Sequence, residues 1–160
     1  MILSLAYFFS WMGDFERVVL IGLLIVTTLL WHGWKQEALV LSLTVISAKL
    51  LSILFKLFFA VPRPDTSLSL IDASGFSFPS GHATVAMALY GTLGYLLWQH
   101  SSYRPKQRVL AVVLCALLIV GISFSRIILG VHWPIDIVGG WLTAFLAFLL
   151  TTRLFTLASR

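Results

Sequence analysis

The sequence predicts an all-α protein, a polytopic membrane helical bundle of five transmembrane helices. Of its 160 residues, 59% are hydrophobic and only 11% are charged, whereas a soluble domain carries about 25% charged residues. The mean hydropathy is +0.99, and five apolar segments approach the roughly 20 residues that a membrane span needs. A chain with so little charge cannot cover a soluble surface, so we expect a single membrane-embedded domain over residues 1–160.

The predicted spans cover approximately residues 15–34, 38–59, 80–98, 109–129 and 134–154. Residues 1–12, MILSLAYFFSWM, are apolar but too short to cross a bilayer. We expect them to form a short interfacial helix at the membrane surface, or to be the remnant of a longer upstream region. Glycine pairs at 91 and 94 and at 139 and 140 predict close helix packing.

Charge placement predicts the orientation of the chain. The net charge is +5, but the basic residues form no patch or aromatic-interleaved stripe, which argues against a nucleic-acid partner. With five spans, most basic residues outside the apolar segments fall on one side, and such residues stay in the cytoplasm. The C-terminus is therefore predicted to be cytoplasmic, and the loop at 63–80 extracytoplasmic, in an inner (plasma) membrane. The basic residues on the predicted cytoplasmic side are Lys35, Arg104, Lys106, Arg108, Arg153 and Arg160.

Three polar clusters lie where predicted spans begin or end, at the predicted outer face. The first is "KLFFAVPRP", the second is "PSGH" at residues 79–82, and the third is "SRIILGVHWPID" at residues 125–136. Alternating topology places all three on the same side of the membrane. We therefore expect these distant stretches to converge in one pocket.

The basic residues of the clusters point to an anionic ligand. Lys56, Arg63 and Arg126 would be costly near hydrocarbon without a partner, and guanidinium groups suit phosphate oxygens. Ser80 is a predicted N-cap, and the N–H groups of Gly81 and the residue after it would lie at a helix N-terminus, where anions bind. Together these groups predict a phosphate site.

The histidines of the clusters point to phosphoryl transfer. Asp136 follows His132 by four residues, within reach of its imidazole, and a carboxylate there would leave the other ring nitrogen free to attack phosphorus. His82 would donate a proton to the leaving oxygen. The sequence has no acidic cluster with metal-ligand spacing, so we expect no metal and no cofactor.

The clusters resemble the signature of the type 2 phosphatidic acid phosphatase family. That signature is Lys, six residues, Arg-Pro; then Pro-Ser-Gly-His; then Ser-Arg, five residues, His, three residues, Asp. All eleven fixed positions are present in order, over residues 56–136. The family's membrane members usually have six spans, whereas five are predicted here, so the chain could be one domain of a longer protein.

The resemblance implies a lipid phosphate or pyrophosphate phosphatase. Its expected substrates are a phospholipid or polyprenyl phosphate: phosphatidic acid, phosphatidylglycerol phosphate or undecaprenyl pyrophosphate. The implied nucleophile, orienting carboxylate and acid are His132, Asp136 and His82. The implied phosphate-binding residues are Lys56, Arg63, Ser80, Gly81 and Arg126.

Two other functions are open from the sequence. The family includes vanadate-dependent haloperoxidases, which a membrane-embedded chain fits less well, and a non-catalytic lipid-binding or transport protein would have no need of the histidine set. Four further residues have ambiguous roles. We expect Lys49 to be structural, paired with a polar neighbour such as Ser47 or Ser52, and His32 and His100 to be interfacial anchors. Ser125 could bond either a neighbour or the substrate.

Overall fold

In a computed structural model of the chain, residues 1–64, 67, 69–100 and 103–158 are described. Every regular element among them is helical, which confirms the all-α prediction. Arg160, used above for the orientation, lies outside the described residues. The helices are α1 (Ile2–Met12), α2 (Phe15–Trp31), α3 (Lys35–Phe59), α4 (Gly81–Ala86), α5 (Thr92–Gln99), α6 (Pro105–Ile128) and α7 (Pro134–Ala158). A π-helical turn, Met87–Gly91, joins α4 to α5.

Three helices are long and apolar enough to cross a membrane: Lys35–Phe59, Pro105–Ile128 and Pro134–Phe155. Helix α2 has 17 residues, and the predicted third span is divided by the π-helical turn. The chain is therefore a helical protein with several apolar helices, and the count of five spans stays a prediction.

Helix α6 begins four residues before the predicted start of the fourth span. Pro105 occupies its first turn, and the backbone N–H of Arg104 donates to Oε1 of Gln107 at 2.8 Å. A side chain at the third helical position that accepts from the N-cap backbone in this way is typical of a helix start. The polar residues that led the sequence prediction to begin the span at 109 therefore form the first turn of the helix.

Small residues bring the long helices together. Ala48 of α3, Ala88 of the π-helical turn, and Ala144 and Ala147 of α7 form a buried cluster. Gly94 of α5 faces Cys115 of α6, where an added Cβ would meet the cysteine Cβ at 3.5 Å. Large apolar side chains such as Leu142 are exposed on the outside, where a bilayer would surround them. Close packing of this kind is expected between helices that gain no hydrophobic energy from leaving lipid.

Helix α7 approaches the start of α4 most closely at Gly140. A Cβ at this position would lie 2.8 Å from the carbonyl oxygen of Ser80 and 3.0 Å from the backbone nitrogen of Thr84. A Cβ at Gly139 would overlap the ring of Phe78. These approaches support the predicted role of the glycine pair at 139 and 140 in helix packing.

Residues 2–12 form a helix that packs along α6. At Gly121 of α6, a Cβ would lie 2.6 Å from Cε1 of Phe9 in α1, so the two helices are in close contact there. The Tyr7 hydroxyl donates to the carbonyl oxygen of Leu70 at 3.1 Å, which ties α1 to the loop between α3 and α4. The interfacial position of α1 stays a prediction, but its docking brings it to the polar end of the bundle.

We expect Gly140→Ala to destabilise the protein by about 1–3 kcal/mol, because a methyl group would press on backbone atoms that cannot move away cheaply. Thermal unfolding in detergent measures this. The matched control is Gly22→Ala on α2, where the nearest atom to an added Cβ is Cδ1 of Leu89 at 3.8 Å. Equal unfolding temperatures for the two variants would contradict the packing role of Gly140.

Candidate active site

The three polar clusters surround one cleft of about 470 Å³ at the end of the bundle where α3 ends and α4 begins. Its walls come from α1, the α3–α4 loop, the start of α4, the end of α6 and the α6–α7 link. Six of the predicted site residues line it: Lys56, Arg63, Gly81, His82, Arg126 and His132. The fold therefore brings together stretches that lie up to 76 positions apart in the signature.

His132 lies in the link between α6 and α7 and is 5% exposed. Its Nδ1 is 3.1 Å from Oδ2 of Asp136, one helical turn further along the chain. Its Nε2 is 3.3 Å from Nη1 of Arg63. Because a guanidinium can only donate, Nε2 must accept, and the proton of the neutral ring is assigned to Nδ1. The lone pair of Nε2 is thus directed to the cationic side of the cleft.

The protonation of His132 is set mainly by burial. Burial lowers the pKa of His132 to about 4, the hydrogen bond to Asp136 opposes the shift, and the charge of Arg63 adds to it. A neutral imidazole at pH 7 is the form that can act as a nucleophile.

Asp136 is fully buried, and its Oδ2 collects three hydrogen-bonding groups. The backbone N–H of Trp133 donates to it at 2.8 Å, the Ser77 hydroxyl also donates to it, and His132 is the third. Ser77 Oγ lies 3.2 Å from Nδ1 of His132 as well. These contacts hold the carboxylate of Asp136 and the imidazole of His132 in a fixed relative position.

Among the described residues, the three cations of the cleft form hydrogen bonds with neutral partners only. Lys56 donates to the carbonyl oxygens of Phe76 and Ser77 at 2.6 and 3.2 Å. Arg63 donates to three backbone carbonyl oxygens, those of residues 74, 75 and 131, at 2.8–3.0 Å. Burial lowers the pKa of Arg63 from its usual value, but a guanidinium stays protonated at neutral pH.

Arg126 is 6% exposed and donates to the Ser10 hydroxyl, and its buried Nε has no hydrogen-bond partner among the described residues. Among the described residues, the ion pairs join other groups: Asp14 with Arg17 and with His82, and His132 with Asp136. The cleft therefore has a surplus of positive charge and unsatisfied donor capacity, which an anion would complement.

The start of α4 presents backbone to the cleft. Gly81 lines it, and no atom lies within 4 Å of where its Cβ would be, so an oxygen could approach closely. Ser80 occupies the N-cap position, but its hydroxyl makes no capping bond and is buried without a partner among the described atoms. Its backbone N–H donates to the Asp136 carbonyl oxygen at 2.9 Å. Ser80 thus lies behind the cleft surface, whereas its predicted role has it at the phosphate.

The remaining ambiguous residues lie outside the cleft. Ser125 donates to the Ile122 carbonyl oxygen at 2.7 Å and is buried, which favours a bond to a neighbouring residue over contact with the substrate. Nζ of Lys49 lies 4.8 Å from the centroid of the Phe15 ring, a cation–π contact that supports a structural role with a different partner from the serines expected. His100 stacks on Trp34 with ring centroids 3.6 Å apart.

Several groups of the cleft were not identified from the sequence. Tyr7, Ser10, Trp11 and Asp14 line it from α1 and the link that follows, and Ser77 supports Asp136. Ser77 lies in the stretch GFSF, immediately before the second cluster. This position beside the cluster was the only feature of the sequence that pointed to Ser77. The residues of α1 gave no signal, because their role depends on how α1 docks.

A family model described as the PAP2 superfamily matches residues 37–160. Phosphatidylglycerophosphatase B of Bacillus subtilis is 35% identical over 88 residues, covering 55% of this chain and 43% of the relative. The putative undecaprenyl-diphosphatase YbjG of Escherichia coli is 30% identical over 137 residues, covering 82% of this chain and 64% of the relative. The chain thus spans less than two thirds of the length of these curated relatives.

Solved structures give the same assignment. The crystal structure of a transmembrane PAP2-type phosphatidylglycerolphosphate phosphatase from Bacillus subtilis matches with a TM-score of 0.84 at 25% identity, covering 95% of this chain and 75% of that one. Aquifex aeolicus LpxE matches with a TM-score of 0.73 at 25% identity, covering 94% of this chain and 85% of that one. Because the family model matches most of the chain and the helices superpose on family structures, this protein belongs to the PAP2 superfamily.

Proposed function

We propose that this chain is a membrane-embedded phosphatase domain that hydrolyses a lipid phosphate or pyrophosphate. The observation that carries the proposal is the accepting Nε2 of His132, held by buried Asp136 beside Arg63, in a cleft whose three cations have neutral hydrogen-bond partners among the described residues. The relatives named above are a phosphatidylglycerophosphatase and a putative undecaprenyl-diphosphatase, so phosphatidylglycerol phosphate and undecaprenyl pyrophosphate are the first substrates to test, with phosphatidic acid beside them.

In the first step, Nε2 of His132 attacks phosphorus, forming an N–P bond while the bond to the leaving oxygen breaks. The imidazolium of His82 gives its proton to that oxygen. Lys56, Arg63 and Arg126 balance the charge on the phosphoryl oxygens, and donors already fixed in place stabilise charge that develops in the transition state. Asp136 stabilises the positive charge that His132 acquires.

In the second step, water attacks the phosphohistidine. His82, now neutral, takes a proton from the water, the N–P bond breaks, and phosphate leaves. Two features of the cleft support this cycle: it is open to water, and the partners of its cations within the described residues are carbonyl and hydroxyl oxygens, which phosphate oxygens can replace.

The purified chain should release phosphate from at least one of these lipids with EDTA present, since the three cations supply the charge that a metal could otherwise provide. We expect His132→Ala to lower kcat by about 1,000-fold or more, as removal of a nucleophile does. The control is His32→Ala, which deletes an exposed imidazole remote from the cleft and should leave kcat unchanged. A metal requirement would contradict the metal-free step, and full activity of His132→Ala would overturn the proposal.

We expect activity to fall on the acid side only well below the usual imidazole pKa of about 6.5. The pKa of His132 is lowered to about 4 by burial, the neutral ring is the nucleophile, and protonation of the ring as pH falls through that value removes the lone pair. The acid limb of kcat/KM, which reports the free enzyme, measures this. An acid limb at or above pH 6.5 would contradict the assignment.

The proposed orientation has the cleft on the extracytoplasmic side and the α5–α6 loop in the cytoplasm. Single cysteines at Asp72, in the α3–α4 loop, and at Lys106, in the first turn of α6, distinguish the two faces in a Cys115→Ala background. A membrane-impermeant maleimide applied to intact cells should label the cysteine at 72 and not the one at 106. The reverse labelling pattern would overturn the orientation.

A further inference from the structure

Asp14, in the link between α1 and α2, contacts the predicted acid. Its Oδ1 lies 3.2 Å from Nε2 of His82, across 68 positions of sequence. Asp14 occupies the N-cap position of α2, with extended backbone, but its side chain makes no capping bond. An N-cap aspartate ordinarily accepts from the first turn of its helix. Here the carboxylate is turned instead toward His82 and Arg17.

The chain around Asp14 is held close to the imidazole. A Cβ at Gly13 would lie 2.7 Å from Cδ2 and 3.5 Å from Cγ of His82, and 2.5 Å from Cγ2 of Ile122, so the backbone passes directly against the Cγ–Cδ2 edge of the ring. Arg17 binds the other oxygen of Asp14 and lies 4.8 Å above the ring of Trp11. These contacts fix the direction of the carboxylate.

The charges around His82 determine how much the contact with Asp14 matters for the protonation of its imidazole. Burial is the largest influence on the protonation of His82, and the charges of Arg126 of α6, His132 of the α6–α7 link and Lys49 of α3 act in the same direction. Lys56 and Arg63 line the same cleft. Asp72 also lines the cleft, but among the described residues Asp14 is the carboxylate within ion-pair distance of His82. Nearby cations disfavour a protonated imidazole and a nearby anion favours it.

We propose that Asp14 is a positioning residue that orients His82 and favours the protonated form of its imidazole, against burial and the nearby cations, for transfer of that proton to the leaving oxygen. This inference rests on the proposed function. The proton moves from the His82 imidazolium to the oxygen that departs from phosphorus, and Asp14 takes up no proton in this step. Asp14 lies outside the residues matched by the family model, 37–160.

The test compares substrates that differ in their need for an acid. An alkyl leaving group, as in phosphatidic acid, requires protonation as it departs, whereas the stable phenolate of p-nitrophenyl phosphate does not. Asp14→Asn should lower kcat about 10- to 100-fold for phosphatidic acid, part of the 10²–10⁴-fold that a general acid supplies, and by less than about threefold for the aryl phosphate. The basic limb of the pH profile for phosphatidic acid should move to lower pH by about one unit.

The matched control is Glu16→Gln, which removes the same charge two residues away from an exposed side chain and should change neither substrate's kcat. In a His82→Ala background, Asp14→Asn should have no further effect. If Asp14→Asn does not survive purification, Asp14→Ser, which retains an N-capping side chain, and Asp14→Glu, which retains the carboxylate, give the same contrast.

Equal losses for both substrates with an unmoved basic limb would show a merely structural role and overturn the inference. So would activity of Asp14→Asn equal to that of Glu16→Gln. Wild-type protein that releases phosphate from none of the three lipids named under the proposed function would instead overturn that function and, with it, this inference.

Discussion

The fully buried carboxylate of Asp136 is the constraint on which the cleft depends. A buried charge is tolerated only when it is paired and hydrogen-bonded, and Asp136 obtains its partners from separate parts of the chain: Ser77 from the α3–α4 loop, and Trp133 and His132 from the turn before α7. Its own carbonyl oxygen accepts from the Ser80 N–H at the start of α4. The hydrogen bonds of this one residue therefore join the loop, α4 and α7, and fix the imidazole beside them.

The same loop also controls the cations. Its carbonyl oxygens bind Lys56 and two of the nitrogens of Arg63, which prevents these side chains from turning out to water. Desolvating a cation costs several kcal/mol when no anion compensates for it. Within the described part of the chain, the three positive charges of the cleft are kept in place by weaker, neutral partners, and a bound dianion would recover part of that cost. Preorganised charge of this kind needs little rearrangement when substrate arrives.

Helix α1 gives the cleft its remaining wall. Its close contact with α6 depends on Gly121, and the turn that follows it depends on Gly13, because a side chain at either position would overlap its neighbours. Through this contact, Ser10 reaches Arg126 and Asp14 reaches His82. A short apolar helix that looks peripheral in the sequence is thereby connected to both a cation and a histidine of the site.

The sequence by itself determined the helical class and the residues of the three clusters. Apolar segment length and low charge are local properties of the sequence. The spacing from Lys56 to Arg63, or from His132 to Asp136, likewise lies within one short continuous stretch. The tertiary structure alone decided the parts that depend on packing. These are the hydrogen bond from Ser77 to Asp136, the contact of Asp14 with His82, and the burial of the Ser80 hydroxyl behind the cleft surface. These contacts join groups far apart in sequence, at distances set by how closely glycine and alanine let the helices approach. No periodicity within one segment contains that information.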